Sequence, residues 1–363
     1  MTTTRISVRT PAPYEVIVGH GLLGELAALL GPRVDKVAVI NPAGLAATGD
    51  AIREDLEAQG FKAIALEVPD GEEQKNAEVA SFCWGVLGQE GFTRTDAIVS
   101  VGGGATTDLA GFVAATWLRG VGVVHIPTTV LAMVDAAIGG KTGINTPSGK
   151  NLVGAIHEPR GVLCDLSALE TLGHFDVVAG LAEAIKAGFI ADTEILALFE
   201  ANPQACTDPT TAQFREVIER AIRVKADIVA HDLHESLDTP LGREVLNYGH
   251  TFGHAVELAE RYSWRHGAAV SVGMMFVAEL ARLAGHLDDA GVEQHRRILT
   301  SVGLPVTYGP GQWDKLLGAM KVDKKARGDL LRFIVLNEPG KPALLEGPDP
   351  VLLAAAYAEV SQS

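Results

Sequence analysis

The sequence predicts an α/β domain followed by an all-α domain. Short apolar runs alternate with amphipathic segments up to about residue 170, and helical periodicity alone continues from about residue 177. Alternation of strands and helices predicts a parallel sheet with helices on both faces. A length of 363 residues is also suited to two domains. We therefore expect an α/β domain over residues 1–175 and a helical domain over residues 176–363.

The predicted elements follow from the spacing of apolar residues. Buried parallel strands are expected at Val37–Ile40, Ala63–Leu66, Ala97–Val101, Val123–Ile126 and Val162–Cys164. Amphipathic helices are expected between them, at about 47–60, 75–90 and 107–119. The second half predicts further helices at 177–191, 193–200, 211–230, 243–262, 267–285 and 290–302.

Composition and charge argue against several classes of protein. A net charge of −15 is unfavourable for binding nucleic acid through bulk electrostatics. The chain has no apolar run of about 18 residues for a membrane span and no apolar stretch typical of a signal peptide. Three widely spaced cysteines argue against a disulfide framework. We expect a cytoplasmic protein without a nucleic acid or membrane partner.

A glycine-rich turn follows the third predicted strand. The turn and the start of the next helix comprise Gly102, Gly103, Gly104, Ala105, Thr106, Thr107 and Asp108. Backbone amides in such a turn can face an anion, and the helix terminus adds a favourable partial charge. Thr106, Thr107 and Asp108 are candidate helix caps. The alternative is a plain tight turn, because the G-x-G-x-x-G pattern is absent.

Three more segments are expected near this turn, because ligands bind beyond the carboxyl ends of parallel strands. Asp70, Gly71, Glu72, Glu73, Gln74 and Lys75 follow one strand, and Thr128 and Thr129 follow another. Residues 139–151 form a predicted glycine-rich loop that carries Lys141, Lys150 and Asn151. Together these segments favour a Rossmann-like dinucleotide site.

Four polar residues define a stripe in the second half. Arg243, Asn247, His250 and His254 are spaced four, three and four apart, so they share one face if the segment is an α-helix. Gly249 and Gly253 cost helix stability, roughly 1 kcal/mol each, and so indicate that a ligand or another backbone comes close. The alternative is a solvated helix face with two incidental histidines.

A metal site is also credible in the second half. Glu183 and Lys186 share a helix face, where the simpler interpretation is a surface ion pair. Together with His250, His254 and His266, Glu183 gives a composition used for catalytic zinc. Spacing alone favours His250 and His254 as joint ligands and does not settle the choice. Isolated lysines in apolar surroundings suggest a pocket for an anionic small molecule, although lysines also snorkel from core helices; they are Lys141, Lys150, Lys186 and Lys225.

These motifs, in this order, resemble the 3-dehydroquinate synthase family over nearly the whole chain. The matching segments are Asp70–Lys75, Gly102–Asp108, Arg119–Gly120, Pro127–Thr129, Met133–Asp135, Gly139–Asn145, Gly149–Ala155, Ala182–Lys186, Lys225, Arg243–His254, His266–Gly267 and Asp323–Lys325. The resemblance implies a dehydroquinate synthase-like fold, an NAD cofactor, one divalent metal (zinc or cobalt) and a homodimer.

The resemblance also implies residue roles. The metal ligands would be Glu183, His250 and His266, and His254 would then face the substrate. Catalytic groups would be Asp135, Lys141, Lys186, Lys225, Arg243, Asn247 and His254; these would also bind substrate with Lys150, Asn151, Lys324 and Arg119, the last from a neighbouring subunit. NAD would be held by Asn41, Asp70–Lys75, Gly103–Asp108, Thr128, Thr129, Lys141, Lys150, Leu169, Glu170 and Thr171. The chain departs from the family pattern at two places. Asn41 stands where the family often has an aspartate, and the segment 232–242 is several residues longer than the family resemblance implies.

The implied reaction is the second step of the shikimate pathway, in which a sugar acid phosphate is converted to 3-dehydroquinate and phosphate by transient oxidation with NAD. Two alternatives are a related sugar phosphate cyclase and a metal-dependent polyol dehydrogenase. A dehydrogenase would share the cofactor and the metal but would not need the many anion-binding lysines. A non-catalytic nucleotide-binding protein is disfavoured by the polar stripe.

Overall fold

The computed structural model describes residues 3–235, 241–323 and 330–361. By its internal contacts the chain divides into two compact units. The first comprises Met1–Leu172 and Lys225–His234, and the second comprises Gly173–Val224 and Glu235–Ser363. Lys324 lies outside the described residues.

The first unit contains a seven-stranded sheet and a separate hairpin within its described part. In chain order the strands are β1 Thr4–Val8, β2 Tyr14–Gly19, β3 Lys36–Pro42, β4 Lys62–Val68, β5 Ala97–Gly102, β6 Gly122–Pro127, β7 Lys141–Thr146, β8 Gly149–Ile156 and β9 Gly161–Asp165. The sheet order is β1-β2-β9-β6-β5-β3-β4. All neighbours pair in parallel except β1 with β2. The five predicted parallel strands are confirmed; β1 and β2 were not predicted.

Helices cover both faces of this sheet. They are α1 Leu26–Leu30, α2 Ala46–Ala58, α3 Ala77–Gln89 and α4 Gly104–Thr116. Ala38 and Ile40 of β3 pack in a core with residues of α3 and α4, whereas Val37 and Val39 pack in a second core with residues of α1 and α2. Since successive strand residues point to opposite faces, a continuous apolar run fills both cores.

The predicted glycine-rich loop at residues 139–151 is wrong, because much of this segment is paired strand. β7 and β8 form an antiparallel hairpin in which Gly143 lies opposite Gly154. A side chain at Gly154 would come within 2.2 Å of the Thr142 carbonyl oxygen, and one at Gly111 of α4 would come within 2.5 Å of Thr142 Cγ2. Gly154 therefore allows the two strands to pair closely, and Gly111 allows the hairpin to pack closely on α4.

The second unit is mainly helical. The helices are α5 His174–Ile190, α6 Thr193–Ala201, α7 Pro203–Thr207, α8 Ala212–His231, α9 His250–Ala259, α10 His266–Leu283, α11 Asp289–Ser301, α12 Trp313–Asp323 and α13 Pro350–Val360. From Lys225 onward, α8 belongs to the first unit. A hairpin of β10 Arg332–Glu338 and β11 Lys341–Glu346 adds strands that the sequence did not predict. No helix of the described residues is long and apolar enough to cross a membrane.

The single helix predicted over residues 243–262 is wrong. Arg243–Asn247 forms a 3₁₀ turn, and α9 begins only at His250. Gly249 between them has φ +78°, a left-handed conformation that favours glycine. The reason is packing on α10: a side chain at Gly273 would lie 1.9 Å from the Gly249 carbonyl oxygen, and one at Gly253 would lie 3.1 Å from the Ala269 oxygen. The glycines thus admit another backbone, as their cost in a helix indicated.

Candidate functional site

In the second unit, a buried carboxylate and a buried ammonium lie together on α5. The side chains of Glu183 and Lys186 are 2% and 3% exposed, and Lys186 Nζ makes an ion pair with Glu183 Oε2. The surface ion pair considered from the sequence is therefore wrong. Burying both charges in an otherwise apolar helix is costly unless they are paired and have further partners.

Two histidines approach the same carboxylate from the first residues of α9 and α10. His250 Nε2 and His266 Nε2 each lie 3.5 Å from Glu183 Oε1. The potential ligand atoms of these three side chains lie within 4.8 Å of one another. Two histidines and one carboxylate are a donor set used for catalytic zinc, with an open position for water or substrate.

The environment of Glu183 fits a bound cation. Both carboxylate oxygens are buried, and apart from the Lys186 ion pair to Oε2 they have no hydrogen-bond partner among the described residues. Burial alone would raise the pKa of Glu183, but Lys186 and then His250 and His266 outweigh it and hold that pKa well below its usual range. The carboxylate is therefore ionised at neutral pH, as a metal ligand must be.

The two histidines differ in charge when no metal is bound. Burial lowers the pKa of His250 to about 3, with Lys186 acting in the same direction, so His250 is neutral. Burial also disfavours the charged form of His266, but the Glu183 and Glu257 carboxylates outweigh it and raise the pKa of His266 to about 10. Metal binding at this cluster would therefore displace a proton from His266.

His254 lies at the edge of this cluster and is exposed. Its ring centroid is 5.3 Å from that of His250 and 6.2 Å from that of His266. His254, Glu257 and His266 form a second group with metal-binding spacing, so the two groups share His266. Glu257 was not predicted as a site residue, although it lies seven residues after His250 and three after His254 on one helix.

Arg243 and Asn247 precede α9 in the 3₁₀ turn. Arg243 is buried, and Asn247 Nδ2 donates a hydrogen bond to Glu235 Oε1 at 3.0 Å. Glu235 was not predicted as a site residue. It falls in the segment 232–242, which is longer than the family resemblance implies, so no fixed spacing from Asn247 points to it.

The backbone of Tyr248 orients His250. The Tyr248 carbonyl oxygen lies 3.1 Å from His250 Nδ1, which leaves Nε2 directed toward Glu183.

The side chain of Tyr248 contacts a buried histidine. The Tyr248 hydroxyl lies 2.8 Å from His295 Nε2, and His295 Nδ1 lies 2.7 Å from the Gly291 oxygen. His295 is fully buried and stacks on Phe189 with ring centroids 3.6 Å apart. Because the Gly291 carbonyl oxygen can only accept, His295 is protonated at Nδ1, and its Nε2 accepts the hydrogen bond from the Tyr248 hydroxyl.

We expect His295 to make folding sensitive to mild acid. Burial lowers the pKa of His295 to about 4, against a smaller opposing effect of its bond to Gly291. The unfolded chain therefore gains a proton here before the folded chain does, so stability is complete above about pH 6.5 and declines down to about pH 4. The loss should be about 3 kcal/mol, at roughly 1.4 kcal/mol for each pKa unit. Urea unfolding of the parent and of His295→Gln measures it.

The exposed His231 gives a matched control, since His231→Gln should retain the parent's pH dependence of unfolding. Equal slopes of unfolding free energy against pH in the parent and His295→Gln would contradict the assignment.

In the first unit, the predicted nucleotide segments meet at one edge of the sheet. β3, β4, β5 and β6 are parallel neighbours, and Asn41, Asp70, the Gly102–Gly104 turn and Thr128–Thr129 lie at or just beyond their carboxyl ends. A side chain at Gly103 would lie 3.3 Å from Thr129 Cγ2, so the turn is pressed against the next strand end. Asp70 Oδ1 accepts a hydrogen bond from the Gly44 amide at 3.0 Å.

A buried lysine connects these segments. Lys75 Nζ donates to Asp108 Oδ2 at 2.7 Å and to Asn151 Oδ1 at 2.6 Å. The predicted capping of α4 by Thr106, Thr107 or Asp108 is wrong, since no side chain caps Gly103 and Asp108 is paired with Lys75. Burial raises the pKa of Asp108, although Lys75 opposes the shift.

The remaining predicted residues of the first unit do not all lie at this edge, since Arg119 comes three residues before the amino end of β6. Lys225 Nζ lies 2.5 Å from Asp135 Oδ1. Lys150 Nζ lies 3.9 Å from Glu72 Oε1, and Lys141, the first residue of β7, is exposed. Arg119 is exposed and has φ +67°. Other positions are as follows: Gln74 and Leu169 are buried, whereas Gly71, Glu73, Glu170 and Thr171 are exposed and Ala105 is half-buried.

The fold and the two residue groups define a class of protein: a parallel α/β unit with a glycine turn at its strand ends, and a helical unit with a carboxylate–histidine cluster. Solved structures of this class include a 2-deoxy-scyllo-inosose synthase complexed with carbaglucose-6-phosphate, NAD+ and Co2+, with a TM-score of 0.84, 26% identity and coverage of 98% of this chain and 100% of that one. A 2-epi-5-epi-valiolone synthase from Streptomyces hygroscopicus, with NAD+ and Zn2+ bound, gives a TM-score of 0.87 and 25% identity over 96% of each chain.

Sequence comparison places the chain within this class. The models for the N-terminal and C-terminal parts of 3-dehydroquinate synthase match residues 65–179 and 180–326. A 3-dehydroquinate synthase of Streptomyces avermitilis is 64% identical over 363 residues, which is 99% of each chain. The chain belongs to the 3-dehydroquinate synthase family.

Proposed function

We propose that the protein converts 3-deoxy-D-arabino-heptulosonate 7-phosphate to 3-dehydroquinate and phosphate. The observation that carries this conclusion is the 64% identity to a 3-dehydroquinate synthase along the whole chain. The buried Glu183–His250–His266 cluster and the nucleotide segments supply groups that suit the two cofactors, NAD and a divalent metal such as zinc or cobalt.

The chemistry explains why a redox cofactor serves a reaction without net oxidation. Phosphate does not leave readily from beside an unactivated carbon. Oxidation of the C5 hydroxyl to a ketone acidifies the neighbouring C–H bond, so a proton can be lost there and phosphate eliminated. The ketone is then reduced again, the ring opens, and an intramolecular aldol reaction closes the carbocycle. NAD held at the strand ends of the first unit would supply the hydride acceptor and donor, and the protein's own groups supply orientation and electrostatics.

Glu183, His250 and His266 would hold the metal. A divalent metal supplies Lewis acidity, which here would stabilise negative charge developing on the C4 and C5 oxygens of the substrate. Lys186 lies against Glu183 and would place a second cation beside these oxygens. Tyr248 holds His250 through its carbonyl, so the ligand nitrogen is presented to Glu183 before a metal arrives.

The nucleotide would lie at the strand-end edge of the first unit. The Gly102–Gly104 turn would receive the pyrophosphate, and Asp70 and Asn41 are candidates for the ribose hydroxyls. Asn41 is 1% exposed, and its Nδ2 donates to the Pro42 oxygen at 3.2 Å. Asparagine supplies no charge, so we expect NAD to bind with lower affinity than an aspartate would allow.

The anionic ends of the substrate require cations. We propose that Lys141, Lys150, Lys225, Lys324, Arg119 and Arg243 bind the phosphate and carboxylate, together with Asp135, Asn151, Asn247 and His254. Fixing both ends converts binding energy into alignment of the reacting carbons. The cytoplasmic location and the homodimer, with Arg119 acting on the neighbouring subunit, remain predictions.

Phosphate release and reduced NAD distinguish this function from its rivals. The metal-loaded protein is mixed with the heptulosonate phosphate and substoichiometric NAD, and both products are followed. We expect many equivalents of phosphate for each NAD, with no net reduced NAD. Accumulation of reduced NAD without phosphate would make the protein a polyol dehydrogenase. If neither forms, the assigned substrate is wrong and a related sugar phosphate becomes the candidate.

A further inference from the structure

The Nδ1 atoms of the two histidines in the metal cluster have different hydrogen-bond partners. His250 Nδ1 faces a backbone carbonyl, that of Tyr248. His266 Nδ1 instead faces a carboxylate, with Glu257 Oε2 at 3.2 Å. In each ring the other nitrogen, Nε2, is directed toward Glu183 at 3.5 Å. His250 is therefore oriented by a neutral carbonyl group and His266 by a carboxylate.

Glu257 is built into the helix to reach this position. It lies on α9 seven residues after His250, so both side chains project from one helix face. Its side chain is 7% exposed, which makes an unpaired charge costly. No part of the proposed reaction uses Glu257, so its burial beside His266 calls for another role.

The donor properties of imidazole define that role. A neutral imidazole that donates through Nδ1–H to a carboxylate has its Nε2 lone pair free for a metal, and the carboxylate increases the basicity of that nitrogen. A histidine supported by a carboxylate is thus held in one tautomer and one ring orientation. Such supports typically contribute 10-fold to 100-fold to metal affinity.

We propose that Glu257 is a positioning residue that fixes His266 as a metal ligand through Nδ1 and is not itself a ligand. This inference rests on the proposed metal role of Glu183, His250 and His266. The competing arrangement would bind the metal through His254, Glu257 and His266, the second group with suitable spacing. That arrangement would use His266 Nδ1 and would leave the buried Glu183 Oε1, which faces both histidine Nε2 atoms, without the metal cation that its surroundings fit.

Metal affinity measured without substrate tests the proposal. Cobalt(II) is titrated into the metal-free protein in competition with a chromophoric chelator, and the visible absorption of bound cobalt reports its ligands. For Glu257→Gln we expect about a tenfold weaker affinity, because the amide still accepts a hydrogen bond but lacks the charge. For Glu257→Ala we expect up to about a hundredfold weaker affinity. At saturation, both variants should show the cobalt spectrum of the parent.

Glu279→Gln is the matched control. Glu279 is buried like Glu257 and lies on α10, the helix of His266, but it pairs with Arg282 and Arg296. We expect this variant to bind cobalt as the parent does. Near-ultraviolet circular dichroism of every variant checks that the fold is retained, and Glu257→Asp, which keeps the charge, should recover part of the affinity if Glu257→Ala is poorly folded.

Two further variants separate support from ligation. Under the proposal, Glu183→Gln loses most of the cobalt affinity and His254→Ala changes it less than threefold. If His254→Ala and Glu257→Gln instead lose cobalt while Glu183→Gln retains it, Glu257 is a ligand and the proposal is overturned. Parent affinity in Glu257→Gln would also overturn it. These experiments measure metal affinity and not turnover. Their result therefore stands even if the protein does not catalyse the proposed reaction.

Discussion

His250→Ala should abolish metal binding and turnover together. The variant removes one of the two histidine Nε2 atoms that face Glu183. It also removes the ring that the Tyr248 carbonyl oxygen orients. Loss of Lewis acid stabilisation should cost several kcal/mol, so we expect the rate to fall by at least about a thousandfold, or about 4 kcal/mol. Metal content after gel filtration and the rate of phosphate release measure the two effects.

His286→Ala serves as the control. His286 belongs to the same unit, but its side chain forms a hydrogen bond with Asn337, which is not part of the metal cluster. It should retain both metal and rate. Normal metal content with a normal rate in His250→Ala would remove His250 from the metal site.

Lys186→Met should lose turnover while retaining the metal. Lys186 is buried in ion-pair contact with Glu183, and methionine conserves much of its apolar volume without the charge. A bound metal and the ammonium compete for the same carboxylate, so the metal affinity should be unchanged or higher in the variant. Turnover should fall by about a hundredfold or more, because a preorganised cation beside the developing negative charge is lost.

Lys315→Met is the matched control, since Lys315 lies in the same unit and donates to the Ala259 carbonyl oxygen. An unchanged rate in Lys186→Met would exclude Lys186 from the site. A parallel loss of metal and rate would make it a structural support of Glu183 instead.

Elements defined by local sequence could be predicted. The five central strands are continuous apolar runs buried on both faces, and the glycine turn after β5 follows directly from three adjacent glycines. The helices α5, α8, α10 and α11 also follow from their periodicity. The edge strand β1 alternates exposed and buried residues and lacks such a run. β2 has the short buried run Val16–Val18 and was overlooked. The β7–β8 hairpin has glycines that suggest a loop until its packing on α4 is known.

Tertiary contacts determined what the sequence could not. Periodicity placed Arg243, Asn247, His250 and His254 on one helix, but close approach of α10 breaks that helix at Gly249. The resemblance to a known family, and not spacing, selected His266 over His254 as a predicted ligand. Glu235 and the Tyr248–His295 pair depend on contacts between separate segments, so no local pattern identified them. Glu257 shares a helix face with His250, but its contact with His266 of another helix was needed to show its role.

Deuterium at C5 of the substrate tests the central claim, that one substrate molecule is oxidised and then reduced by the same bound NAD. We predict that the 3-dehydroquinate formed retains the deuterium, with none in the solvent or in free reduced NAD. Mass spectrometry of the product and of the nucleotide measures both. Deuterium in a growing pool of reduced NAD, with none in the product, would contradict the account and identify a dehydrogenase.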